Sequence, residues 1–143
     1  MLAALLAGLT LLGWRVPMPN SNWVPNHGPI MFFLFLTILI SLERAVAIQQ
    51  RWALLFPSLA AISAILFITG MSPEIAKILV FVSSFGLLLI YAWILRQQPS
   101  KHMAIMAMGA LGFIVTSYLW IIGHAVSNMI PGWVAFLSLT IAG

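Results

Sequence analysis

Residues 28–48 read GPIMFFLFLTILISLERAVAI. The stretch runs for 21 residues and carries no charge before Glu43 and Arg44. A helix rises about 1.5 Å per residue, so this length just crosses an apolar bilayer core of about 30 Å. Three more stretches, 52–70, 73–95 and 102–125, repeat the pattern. Each ends at a break. Gln49-Gln50-Arg51 closes the first, Gly70-Met71-Ser72-Pro73 the second, and the polar run from Arg96 to Lys101 the third. Ser127-Asn128 and Pro131-Gly132 follow the fourth. Ser72 suits a helix N-cap and Pro73 the first helical position.

Composition points the same way. The chain has 143 residues, of which 63% are hydrophobic and 6% charged, with mean hydropathy +1.13. A soluble domain carries about 25% charged residues, and a chain this small cannot hide such an apolar excess from water. A soluble globular enzyme, a disordered chain and a nucleic-acid binder are excluded. The pI near 10.4 comes from six cations scattered singly, not from a basic patch. The absence of Cys excludes disulfides and thiolate metal sites. The expected fold is all-α: one polytopic transmembrane helix bundle over residues 1–143, with five to six spans.

The two ends are apolar but short. Segment 1–15 lacks the positive n-region of a signal peptide and reads as a short or tilted helix. Segment 131–143 stops without a polar end, which reads as an incomplete last span that continues beyond Gly143. Arg44, Arg51, Arg96 and Lys101 fall on one side, against Arg15 and Lys77 on the other. That bias places the 49–51 and 96–101 turns in the cytoplasm, the N-terminus inside and the 16–27 loop outside.

Few residues carry chemistry, and ionisable groups within spans are functional candidates by default. At about 100° per residue, His27, Met31, Leu34, Ile38, Ser41 and Ala45 share one face of the second span. Thr37 and Arg44 lie at its edge. Glu43 points nearly the opposite way, so Glu43 and Arg44 are not expected to pair within the helix. On the fifth span His102, Met106, Phe113, Ser117, Trp120 and His124 share a face. His102 and His124 are about 33 Å apart along it, too far for one metal.

His27 and His124 fall at the same outer side. Neutral imidazole is the commonest metal ligand and a frequent haem ligand. If the second and fifth spans pack together, the pair can share one haem or copper. Met31, one turn beyond His27, adds a thioether that suits Cu(I). The alternative is that both are interfacial histidines bonded to loop backbone or water. Glu43 reads either as a proton-relay group or as an interfacial anchor paired with Arg51 or Arg96.

Met103, Met106 and Met108 resemble a copper-binding cluster, but apolar helices also use Met to fill core gaps. Trp14, Trp23, Trp52, Trp120 and Trp133 lie near span ends, as in an interfacial belt. Gly109 and Gly112, the run Ala60, Ala61, Ser63 and Ala64, and Ser83-Ser84 with Gly86 mark close helix approaches. There is no nucleotide-binding loop, and with no Asp in the chain no catalytic set assembles from it alone.

The string His27-Gly28-Pro29-Ile30-Met31, then Phe35-Leu36, then Ile40-Ser41-Leu42-Glu43-Arg44-Ala45-Val46-Ala47, resembles a motif of NnrS-like bacterial polytopic membrane proteins. Met106-Ala107-Met108-Gly109-Ala110-Leu111, Leu119-Trp120 and Gly123 are similar to a second motif. Pro131, Trp133, Phe136-Leu137 and Leu139-Thr140-Ile141-Ala142-Gly143 are similar to a third. The match covers the N-terminal half of such proteins. Leu34 and Thr37 stand where small residues are usual, and His124 is outside the pattern. NnrS proteins are haem- and copper-containing and linked to nitric-oxide metabolism. The resemblance implies a bacterial inner (cytoplasmic) membrane, His27 as a ligand, and Glu43-Arg44 as a structural or proton-linked pair of positions.

The expected function is an integral subunit of a larger respiratory or redox membrane complex that ligates haem or copper through His27. Its partners are the bilayer and other membrane subunits or further copies of the chain, not nucleic acid. The alternatives are a cofactor-free accessory subunit and, with less behind it, a transporter-type protein.

Overall fold

A computed structural model describes residues 2–17, 19 and 23–142. Met1, Met18, Asn20, Ser21, Asn22 and Gly143 lie outside the described residues, and with them part of the 16–27 loop and the expected stopping point of the last span. The described residues form an all-helical bundle. Helix α1 is Leu2–Leu11, α2 His27–Ala47, α3 Arg51–Thr69, α4 Pro73–Gln97, α5 Lys101–Ile121 and α6 Ile130–Ala142. Helices α2 to α5 are each long and apolar enough to cross a membrane. They pack in sequence order, α2 on α3, α3 on α4 and α4 on α5, with α6 returning along α5.

Local chemistry sets the ends. Ser72 caps α4 through its carbonyl, which accepts from Ala76 N at 3.0 Å, with Pro73 at the first helical position. Ser100 caps α5 with its side chain, accepting from Met103 N at 3.2 Å. Helix α5 stops at Ile121 instead of running to 125 because Gly123 takes φ +82°. Gly123 N then bonds Trp120 O and His124 N bonds Leu119 O, a Schellman ending. Two residues past the end of α2, Gln49 takes φ 54°. A side chain in that left-handed region costs about 1 kcal/mol. Gln49→Gly is therefore expected to raise unfolding stability in detergent by about 1 kcal/mol. An unchanged denaturation midpoint would show that the turn carries no strain.

Small and hydroxyl residues bring the helices together. Gly86 faces the Phe56 ring so closely that a Cβ there would overlap it, and a Cβ on Gly132 would overlap the Thr116 methyl. Gly109 abuts Leu139 and the Phe136 carbonyl. Gly112 meets nothing at its own Cβ position; its carbonyl instead faces Gly132. Ser63 donates to Ala76 O at 2.7 Å and Ser83 to Phe56 O at 2.9 Å, two hydrogen bonds that tie α3 to α4. Such bonds average about 0.6 kcal/mol in a bilayer. The double variant Ser63→Ala, Ser83→Ala is expected to lose about 1 kcal/mol, read from unfolding in mixed micelles.

The core is aromatic. Phe33 stacks on Trp120 at 4.7 Å, meets Trp133 edge-on at 5.3 Å and tilts against Phe113 at 5.3 Å. Phe113 stacks in turn on Phe136, and Phe32 on Trp133. This corrects the belt reading for two tryptophans. Trp120 is 5% exposed and Trp133 3%, both inside the bundle. Trp14 and Trp52 are exposed, as a belt requires. Trp23 is half-buried and donates to Ile68 O at 3.0 Å.

The buried stripe of α2 also differs from the expected one. Phe33, Thr37, Ser41 and Ala45 are fully buried, while Met31 and Ile38 are only half-buried. The cause is a π-helical segment, Ile30–Leu36. A π turn takes one more residue than an α turn, so angles counted at 100° per residue slip across it. His27 and Met31 rotate toward α1, and Thr37 moves from the edge to the centre of the stripe.

Candidate functional site

The site is built at the first turn of α2. Asn26 O accepts from Ile30 N at 2.9 Å and starts the helix. Pro29 follows as the third helical residue, where an N–H has no helical acceptor and its loss costs nothing. Gly28 lets α2 approach the Trp133 ring and Val126. His27 is thereby turned to the other side, onto α1.

Helix α1 receives the ring through small residues. Ala3, Ala4 and Ala7 are buried. A Cβ on Gly8 would lie 3.0 Å from His27 Cε1, so glycine lets the imidazole lie against the helix. His27 Nδ1 is 2.9 Å from Ala4 O. A carbonyl only accepts, so Nδ1 carries the proton and donates. In the neutral ring Nε2 then holds the lone pair. This is the second-shell arrangement that fixes ligating histidines.

The ring borders an open, largely apolar recess of about 410 Å³, lined by α1 residues including Ala4, Gly8 and Leu11, and by His27 and Met31. Two soft or borderline donors, an imidazole nitrogen and a thioether, thus stand one turn apart at an apolar wall. No group of three or more His, Cys, Asp or Glu converges among the described residues. An imidazole and a thioether are donor types that haem and copper take, but two donors alone do not complete such a centre.

The other expected positions do not line this recess. His124 is exposed beyond the end of α5 and is not part of the His27 recess. His102 is exposed at the start of α5. Met106 is buried in the core with Met103 packed against the same cluster, while Met108 is exposed, so the three do not converge. Glu43 and Arg44 do approach each other, which corrects the expectation from helical angles. Arg44 Nη2 lies 3.7 Å from Glu43 Oε1. Long side chains on neighbouring residues can curl toward one another where Cβ directions alone diverge. Glu43 remains 65% exposed and Arg44 23%.

Ala4 and Gly8 went unread in the sequence. Their spacing is a small-xxx-small pair, the pattern by which membrane helices approach closely. That signal marks α1 as a docking helix without saying what docks on it.

These features define a class: a polytopic helical membrane protein with a histidine presented at one end of the bundle. A family model described as Domain of unknown function (DUF8744) matches residues 1–143, and the chain belongs to that family. No curated protein and no solved structure matches it.

Proposed function

We propose that this chain is an integral subunit of a larger redox-type membrane assembly, and that His27 supplies it with one haem or copper ligand through Nε2. The observation that carries the reading is the Nδ1–Ala4 hydrogen bond. It sets the tautomer and leaves Nε2 unprotonated in the neutral ring, at an apolar recess that His27 and Met31 both line. The NnrS-like motif that begins at His27 supports the same residue. A bound haem or copper would bring one-electron chemistry. The protein's part is to hold the imidazole, exclude water with α1, and keep the proton on Nδ1.

The exposed apolar side chains of α2 to α5, such as Leu39, Ile65, Ile78 and Val115, suit lipid or neighbouring helices. The proposed setting is the bacterial inner membrane with the N-terminus inside. Reporter fusions at residue 98 and residue 128 are expected to report cytoplasm and exterior respectively; the reverse pattern overturns the orientation.

A second reading, a cofactor-free accessory subunit, is favoured by the small number of converging donors. Isolation from its own membranes in mild detergent separates the two. A Soret band or stoichiometric copper in the freshly isolated assembly supports ligation. Neither signal, in an assembly that keeps its other subunits, leaves the accessory reading.

A further inference from the structure

The opposite end of the bundle holds a second recess of different character. It measures about 270 Å³ and lies where α2, α4 and α5 meet, with Arg44, Gln97, Gln98 and Met103 among its lining residues. Ile48 and Ile94 form its apolar wall. The site is independent of the His27 reading.

Arg44 has donors to spare here. Its guanidinium offers five N–H groups in a fixed fork. Glu43 Oε1, at 3.7 Å, is beyond hydrogen-bond reach. Arg44 Nε is buried without a partner. The buried Tyr91 hydroxyl lies beside it and faces the Arg44 guanidinium and the Thr140 side chain. Arg44 lines the recess and stays 23% exposed, so its charge is open to an acceptor that bears negative charge. Arg51, Arg96 and Lys101 are exposed at the same end and add positive potential, with Glu43 the one acid near them.

We infer that this recess binds a phosphate group, and specifically the headgroup of an anionic phospholipid in the adjoining leaflet. The Arg44 fork matches two phosphate oxygens. The Gln97 and Gln98 amides stand at the recess as further donors. Ile48 and Ile94 continue it into an apolar wall suited to the first methylenes of an acyl chain. Basic recesses between membrane helices hold lipid headgroups by this chemistry. A soluble phosphate shares the chemistry but makes no use of the apolar wall.

The test is native mass spectrometry of the full chain in mild detergent. The probes are phosphatidylglycerol, phosphatidylcholine and inorganic phosphate. Phosphatidylglycerol is expected to bind about tenfold tighter than phosphatidylcholine, and Arg44→Gln to bring the two together. The double variant Gln97→Leu, Gln98→Leu changes exposed side chains, so it keeps the fold. It is expected to weaken phosphatidylglycerol several-fold, and it decides the matter if Arg44→Gln does not fold. Equal binding of both lipids by the wild type overturns the proposal, as does unchanged phosphatidylglycerol affinity in the double variant. Displacement of the lipid by millimolar inorganic phosphate overturns the lipid assignment in favour of a soluble anion.

Discussion

Phe33→Ala is expected to cost about 3 kcal/mol of unfolding stability, the largest loss from a single side chain in this bundle. The reason lies in what Phe33 touches. It meets Trp120, Trp133 and Phe113 within 5.3 Å and joins α2 to α5 and α6. In a bilayer the lipid is as apolar as the side chain, so transfer from water adds little. What is lost is packing. A cavity costs about 24 cal/mol per Å³, and each aromatic pair contributes about 0.5–1.5 kcal/mol. Leu39, exposed on the same helix, provides the comparison. Leu39→Ala is expected to change stability by less than about 0.5 kcal/mol. Equal losses from the two variants, measured by denaturant titration in micelles, would contradict the aromatic core.

The second large effect is at His27. His27→Ala removes the imidazole that lines the recess and is expected to abolish haem or copper retention in the isolated assembly. Gly8→Leu tests the same site without touching the histidine. Its side chain must enter the space that the imidazole occupies, which breaks the Nδ1–Ala4 bond and frees the tautomer. Second-shell losses of this kind lower metal affinity about 10–100-fold. Retention unchanged in Gly8→Leu, with the bundle folded, would show that α1 does not position the ligand.

The long helices were readable because the bilayer demands long apolar runs, and Pro73, Gly70 and the polar 96–101 turn punctuate them. Which face of each helix turns inward was less readable. In a chain this apolar, lipid-facing and core-facing positions have the same hydrophobicity, so Trp120 and Trp133 could not be told from belt residues by pattern alone. The marks of the interior are small and hydroxyl residues. Ser63, Ser83, Gly86 and Gly109 were read as such and do lie at helix contacts.

The π segment Ile30–Leu36 leaves no periodic trace, because all seven residues are apolar. It shifts Met31 and Thr37 against a count made at 100° per residue. His27 was readable as a donor, but its partner was not. The Ala4 carbonyl is a backbone group, 23 residues away, and no side-chain type announces it. Arg44 was read as an edge position, yet its donors open onto a recess formed by α4 and α5, which sequence spacing within α2 does not reveal.

The most direct measurement is nitrogen NMR of the imidazoles in ¹⁵N-histidine-labelled protein, assigned with His27→Ala. A proton on Nδ1 of His27 is expected in the free protein, donated to Ala4 O. Addition of haem or Cu(I) should shift the Nε2 resonance of His27 while Nδ1 keeps its proton. A proton found on Nε2 and not on Nδ1, or binding that leaves the His27 resonances in place, would contradict the ligand role of His27.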